Sequence, residues 1–258
     1  MVDIHSHILF GVDDGAQTLE ESIELLKQAE KVGYTDIVCS SHYYKGRFEN
    51  KNYIENFKIL QAEIEKQKIN VNIYYGNEFA LKEDSFFCVE EAQKINNSKY
   101  LLVELKGMIL FSICKSFFID LLNKGIVPVF AHVERYQHIK LSELIELYKL
   151  GVVLQVNINS ALEPLPKIKY LLDNRYIGIL ATDTHRVGRR DYNLKDRLEQ
   201  LKIILGEDYF NVLLEQNPKT ILNNENIEFY IKGEKDEFKK KISSSNIFKS
   251  MYNKLFGR

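Results

Sequence analysis

The chain has 258 residues, 45% of them apolar and 28% charged, with a formal net charge of −1, six histidines and three cysteines. That length and apolar content suit one sizeable core rather than two full domains, and the near-neutral charge offers no general attraction to nucleic acid. No apolar run approaches the ~18–20 residues that span a bilayer, no signal peptide is expected, and three cysteines without close pairing argue for a reducing compartment, so the protein reads as cytoplasmic.

Val2 and Ile4 alternate with polar neighbours in a first expected strand, residues 2–5. The pleat has a period of two, so His5 and His7 point to one side while Ser6 faces away. Gly11-Val12-Asp13-Asp14-Gly15-Ala16 follows. Thr18-Leu19-Glu20-Glu21 is a capping box, Ile23, Leu26, Ala29 and Val32 form one apolar face, and Gly33 ends that first helix. From there strand and helix alternate. Strands are expected at 35–41, 70–78, 99–104, 126–132, 152–157 and 177–183, and helices at 51–67, 83–95, 112–124, 141–150, 166–174 and 192–204.

Ligand-type residues fall at the ends of those strands. The first ends in His5 and His7, the second runs to His42, the third to Glu78, the fourth to Glu104, the fifth to His132, the sixth to Asn157, and the seventh into Asp183-Thr184-His185. Taken singly, each reads equally well as a loop entry or a structural side chain. Together they converge, because a parallel barrel gathers the carboxyl ends of its strands around one mouth. His138 is left out, as a surface residue or a neighbour of the ligands.

Asp3-Ile4-His5-Ser6-His7, the Asp13-Asp14-Gly15-Ala16 run, Ala131-His132-Val133-Glu134-Arg135-Tyr136 and Asp183-Thr184-His185 resemble the polymerase and histidinol phosphatase (PHP) superfamily. Within it they are similar to the bacterial tyrosine-phosphatase branch of CpsB/YwqE type, found at capsule and exopolysaccharide loci. The resemblance runs from residue 1 to about residue 225. It implies an α/β fold, a single-domain, distorted seven-stranded (β/α) barrel of TIM-like kind, holding three divalent ions, manganese foremost with iron or zinc as alternatives.

It further implies one ion on His5, His7, Glu78 and Asp183, a second on Glu78, Glu104 and His132, and a third on Asp14, His42 and His185, with Asp13 as the alternative to Asp14. Arg135 and Arg186 correspond to catalytic, phosphate-clamping arginines, with Arg189 and Arg190 as weaker candidates. The implied substrate is a phosphotyrosine protein, a membrane-associated bacterial tyrosine kinase controlling polysaccharide export. A histidinol-type small-molecule phosphatase and a catalytically silent kinase-binding module are the alternatives. Homo-oligomerisation stays open.

The chemistry of the residues agrees. Three divalent ions would outweigh the four charges of Asp14, Glu78, Glu104 and Asp183, leaving a positive basin for a phosphate dianion and for acidified water in line with phosphorus. Mixed imidazole and carboxylate donors suit manganese, iron or zinc. Thiol-based tyrosine phosphatases need Arg six positions after the nucleophilic Cys, whereas here Lys45 follows Cys39, Lys94 follows Cys88 and Asp120 follows Cys114 at that offset. Tyr43, in the loop after His42, is expected to offer its ring to a substrate tyrosine.

The stretch 226–258 differs from the barrel region in its excess of lysine, and Ile247, Phe248, Met251, Leu255 and Phe256 fit one face of a short helix. It reads either as a weak contact with an acidic membrane surface, at the inner face of the membrane, or as a terminal helix or tail without that role.

Overall fold

The computed structural model describes residues 1–82 and 85–229; most of the expected basic tail, from residue 230 on, lies outside the described residues. Among the described residues there are nine strands: β1 (Val2–Ser6), β2 (Asp36–Cys39), β3 (His42–Tyr43), β4 (Asn72–Tyr75), β5 (Glu78–Leu81), β6 (Tyr100–Leu105), β7 (Val127–Phe130), β8 (Val153–Asn157) and β9 (Ile177–Ala181). All pairing among them is parallel, in two sheets of order β1-β2-β4 and β3-β5-β6-β7-β8-β9.

The nine strands trace seven paths. β3 resumes the course of β2 after Ser40-Ser41, and β5 resumes that of β4 after Gly76-Asn77. The sheets meet at two seams. At one, the Glu78 N–H reaches the carbonyls of Ser40 and Ser41, both at 3.0 Å; at the other, the Asp183 N–H donates to His5 O at 2.9 Å and the His7 N–H to Thr184 O at 2.7 Å. The second pair of bonds links the first strand to the segment after the last.

Helices cover the outside: α1 (Leu19–Val32), α2 (Tyr53–Gln67), α3 (Phe111–Asn123), α4 (Leu141–Leu150), α5 (Ile158–Leu162), α6 (Pro166–Asp173), α7 (Lys195–Leu205), α8 (Glu207–Asn211) and α9 (Asn217–Leu222). Thr18 caps α1 by accepting from the Glu21 N–H, and Gly33 closes it at φ 95°, a conformation open to glycine at no steric cost. The Glu21 carboxylate returns to the Gln17 N–H rather than to Thr18.

One expected helix is absent. Residues 86–91 and 95–97 form short 3-10 turns instead. The reason is tertiary: Asn77 N–H donates to Gln93 O at 2.8 Å, its side-chain oxygen accepts from the Gln93 N–H at 2.7 Å, and Asn96 and Asn97 take left-handed φ of 47° and 53°. These contacts pull the segment off a helical course. α5, α8 and α9 were not foreseen from sequence.

Alternation along the strands separates two apolar layers. Leu101 and Val103 of β6, Leu154 and Val156 of β8 and Leu180 of β9 face the helices, where Leu26, Phe117, Phe118, Leu147 and Leu171 meet them. Val2, Ile4, Val38, Tyr100, Leu102, Val129, Val153, Ile179 and Ala181 form the inner cluster, joined by Ile221 and Leu222 of α9. Glu104, Gln155 with Asn157, and Asp183 continue the inner parity of β6, β8 and β9. The interior is thus apolar along most of its length and ionisable at the carboxyl end. Among the described residues no helix is long and apolar enough to cross a membrane.

Phe117 is fully buried, stacked on Phe79 at 5.8 Å between ring centres and edge-on to Phe86 at 5.1 Å. Phe117→Ala should therefore cost about 3–5 kcal/mol of stability. Urea denaturation checks this, and a loss under about 1 kcal/mol would contradict the packing described.

Candidate metal centre

All nine side chains expected as ligands meet at the carboxyl ends of the strands. They fall into four overlapping groups whose donor atoms lie within 4.8 Å of one another: His5-His7-Asp183, His5-Glu78-His132, His42-Glu78-Glu104 and His7-Asp14-His42-His185. Eight of these residues are buried; Asp14, with its side chain 55% exposed, stands at the mouth.

The geometry around the first group is specific. His5 Nε2 lies 3.3 Å from Glu78 Oε1, 3.4 Å from Asp183 Oδ1 and 3.4 Å from His7 Nε2, and His7 Nε2 lies 3.4 Å from Glu78 Oε2 and 3.5 Å from Asp183 Oδ1. Donors held at about 2.1 Å from one ion sit roughly 3.0–3.4 Å apart, so these four residues already have the spacing of a coordination shell.

The other three groups are less evenly spaced. His132 Nε2 is 2.8 Å from Glu78 Oε1 and 3.9 Å from Glu104 Oε2. Asp14 Oδ1 lies 3.4 Å from His42 Nε2 and 3.7 Å from His185 Nε2. His42 Nδ1 is 2.9 Å from Glu78 Oε2 and 3.3 Å from Glu104 Oε1, yet it makes no hydrogen bond of acceptable direction. A buried nitrogen crowded against two carboxylates without a directed bond fits a ligand. The donor set therefore suits divalent ions.

Four of the imidazoles are aimed by their second nitrogen. His5 Nδ1 pairs with Gln155 Oε1 at 3.1 Å, His7 Nδ1 with Asp13 Oδ2 at 2.7 Å, His132 Nδ1 with the Tyr136 hydroxyl at 3.2 Å and His185 Nδ1 with Asp183 O at 2.9 Å. Such partners fix ring orientation and tautomer in metal sites. The acidic pair thus divides its work: Asp13 is buried, orients His7 and accepts from the N–H groups of Gly15 and His42, while Asp14 faces the mouth. Gln155 also accepts from the His132 N–H at 2.8 Å and donates to Asn157, which donates to Asp183 Oδ2 at 3.1 Å. Gln155, Tyr136 and the orienting role of Asp13 were not foreseen. Gln155 stands at an inner-parity position of β8, Tyr136 one turn after His132 and Asp13 beside Asp14, relations that become visible only once the strands are placed.

Charges inside the cluster compensate one another. Burial lowers His42, but the carboxylates of Glu78, Asp14 and Glu104 together outweigh it and raise the imidazole to about 12; burial is likewise opposed at His7, chiefly by Asp13, and that imidazole ends at about 9. Burial and the charge on His7 lower His185 to about 3. Burial would raise Glu78, but the charges of His5 and His42 hold it well below its ordinary range.

The arginines separate. Arg135 and Arg190 both donate to Asp183 Oδ2, Arg190 at 2.8 Å. Arg186 instead binds Glu21 in a fork, at 3.1 and 3.2 Å, away from the cluster. Tyr43 is also placed elsewhere: its ring is buried and stacked on Phe79 at 6.1 Å, and its hydroxyl donates to Glu91 at 2.5 Å. The ring that this loop brings to the cluster is Phe48, stacked on His42 at 5.8 Å. His138 bonds Ile109 O at 3.1 Å and is not among the donors. The three thiols are buried and unpaired, and burial pushes Cys114 up to about 12, the opposite of what a thiolate nucleophile needs.

A parallel α/β scaffold with buried imidazoles and carboxylates gathered at its carboxyl-end mouth is the arrangement of a candidate metal centre. The chain belongs to the capsular polysaccharide synthesis family CpsB/CapC, whose profile matches residues 1–223. Relatives include the tyrosine-protein phosphatase CpsB of Streptococcus agalactiae, 30% identical over 240 residues (87% of this chain, 99% of that protein). The putative tyrosine-protein phosphatase CapC of Staphylococcus aureus is 33% identical, covering 88% of this chain and 93% of that protein. Among solved structures, the metal-dependent tyrosine phosphatases YwqE of Bacillus subtilis and CpsB of Streptococcus pneumoniae, described together, provide a match with TM-score 0.78 at 27% identity, covering 88% of this chain and 96% of the other. The phosphotriesterase homology protein of Escherichia coli, at 12% identity and TM-score 0.58, shares the fold.

Two outcomes follow from this geometry. Asp13→Asn should weaken metal binding about 10–100-fold while the folded state persists, as removal of an orienting partner does; unchanged affinity in a metal titration would refute the orienting role. With His7 at about 9 and His42 at about 12, both carry a proton at pH 7 before an ion enters. Loading must expel those protons, so affinity should rise with pH. Calorimetry at pH 7 in buffers of different ionisation enthalpy should show this release, and buffer-independent heats would contradict it.

Proposed function

We propose that this protein is a metal-dependent phosphotyrosine-protein phosphatase, acting on a membrane-associated bacterial tyrosine kinase that governs capsular or exopolysaccharide synthesis. The observation carrying this reading is the convergence of five imidazoles and four carboxylates at coordination spacing in a chain of the CpsB/CapC family.

In this reading His5, His7, Glu78 and Asp183 hold one divalent ion, Glu78, Glu104 and His132 a second, and Asp14, His42 and His185 a third, with manganese the favoured metal. Bound ions would supply Lewis acidity toward the phosphate oxygens and lower the pKa of water beside phosphorus. The remaining work belongs to side chains of the protein. Arg135, whose side chain is 43% exposed, and Arg190 at 36% reach Asp183 from the solvent side. Their unused N–H groups are disposed to bind the phosphate and the charge that develops on it. Arg186 joins them only by leaving Glu21. Phe48 beside His42 offers an apolar face to the substrate ring. Buried thiols take no part.

The test is phosphate release from a phosphotyrosyl peptide by metal-free protein reloaded with manganese, iron or zinc in turn, with histidinol phosphate as competitor substrate. His132→Ala should reduce kcat by more than about 100-fold, and Arg135→Ala by about 10²–10³-fold, as for loss of a transition-state donor. Full activity in the His132 variant, or preference for histidinol phosphate, would overturn the assignment.

A further inference from the structure

Beside the cluster, a cleft of about 390 Å³ opens outward, lined by Glu104 and His132 at its floor and by Lys106, Met108, Arg135 and His138 toward solvent. That volume is within the range of ligand pockets. Its cations are not equivalent. Arg135 donates one N–H to Asp183, and His138 Nε2 donates to the Ile109 carbonyl. The Lys106 ammonium has Glu104 as its carboxylate partner at 3.1 Å and lies 6.0 Å from the centre of the Tyr44 ring. Glu104 is itself one of the cluster donors.

Lys106 is also rigidly placed. Its N–H extends the ladder to Leu81 O at 2.9 Å, and the preceding N–H, of Leu105, donates to the Tyr136 hydroxyl at 2.9 Å. Past it the chain turns at Gly107 and exposes Met108 at 83% and Leu110 at 65%. An ammonium on a fixed strand end, followed by an exposed apolar edge and continuous with the cluster, suits an extended peptide that carries an anionic side chain beside the reacting residue.

We propose that Lys106 is a specificity-determining residue that selects an anionic group, a carboxylate or a second phosphate, next to the phosphotyrosine of the substrate. This rests on the phosphatase reading above. With Glu104 engaged by an ion, the Lys106 ammonium can exchange that partner for an anion on the peptide, while the free N–H groups of Arg135 serve the phosphate itself. Such a charge-assisted contact discriminates by about tenfold.

The experiment compares phosphotyrosyl peptides identical except for one neighbouring residue (Glu, Gln, Lys or a second phosphotyrosine) with wild type, Lys106→Met and Lys106→Glu. The readouts are the ratio of kcat/KM between peptides and, separately, peptide binding by fluorescence anisotropy. Wild type should favour the Glu peptide over the Lys peptide by about tenfold or more. Lys106→Met should abolish the ratio and Lys106→Glu reverse it, whatever happens to absolute rates. A preference for the doubly phosphorylated peptide alone identifies phosphate as the anion. Equal ratios in all three proteins would overturn the role of Lys106 while leaving the phosphatase reading intact. No turnover of any peptide by wild type would overturn that reading, and the anisotropy ranking would then decide the Lys106 claim by itself.

Discussion

The structure turns on one buried carboxylate. Glu78, 1% exposed, has an oxygen within 3.4 Å of a nitrogen of each of His5, His7, His42 and His132. Taking a carboxylate out of water costs several kcal/mol unless opposite charge surrounds it. Here the surrounding imidazoles come from β1 and the loop after it, from β3 and from the turn after β7, so the cost is met only when distant segments are all in place. The same residue belongs to two of the donor groups. Its position therefore ties the assembly of the strands to the assembly of the site.

That position depends on interrupted strands. The second and third strand paths break at Ser40-Ser41 and Gly76-Asn77, then resume with His42 paired to Glu78 as the first register of a new ladder. Counted from Val38 and Tyr74 of the inner cluster, parity already puts His42 and Glu78 on the inner side; the breaks instead let β3 and β5 pair in the other sheet. Gly76 permits the break because a Cβ there would stand 2.4 Å from Val38 Cγ1. Elsewhere the aiming is done by backbone conformation: His132 at φ 32° and Asp183 at φ 54° are both left-handed and not glycine. Such conformations cost of order 1–3 kcal/mol and persist where surrounding contacts over-determine them. The bonds of His132 to Gln155 and of Asp183 to His5 and Asn157 do so.

How much of this was legible follows from the same distinction. His5, His7, Glu104, His132 and Asp183 stand out in sequence because an apolar run stops at a donor, and strand periodicity then fixes their end of the sheet. The breaks before His42 and Glu78 were not legible: Ser-Ser and Gly-Asn read as ordinary strand ends, and resumption of the strand requires the neighbouring ladder. The Asn77 and Gln93 bonds that replace a helix with 3-10 turns likewise join residues far apart in sequence. Arg186 and Arg190 were separable only through Glu21, whose place on α1 brings it to Arg186. Tyr43 points away from the cluster for a simpler reason. In a two-residue strand, adjacent side chains point to opposite faces, so a donor at His42 sends Tyr43 into the core.

Protons and cations compete for the same role in the cluster. Without ions, the raised imidazoles of His7, at about 9, and His42, at about 12, neutralise the carboxylates. A group whose pKa is higher in the folded state stabilises that state fully below its unfolded value near 6.5, and loses this contribution as pH climbs through the folded value. The ion-free fold thus loses these contributions between about pH 6.5 and 12, where Glu78 and Asp183 stay charged and increasingly unmatched. Divalent ions reverse the direction: deprotonated imidazoles bind them better, and occupancy stabilises the folded chain in proportion to the logarithm of ion concentration over the dissociation constant. The inner apolar cluster beneath contributes its burial whichever cation fills the site. The mouth above it gains its full stability only when cations replace the protons, which places structural and chemical demands on one set of residues.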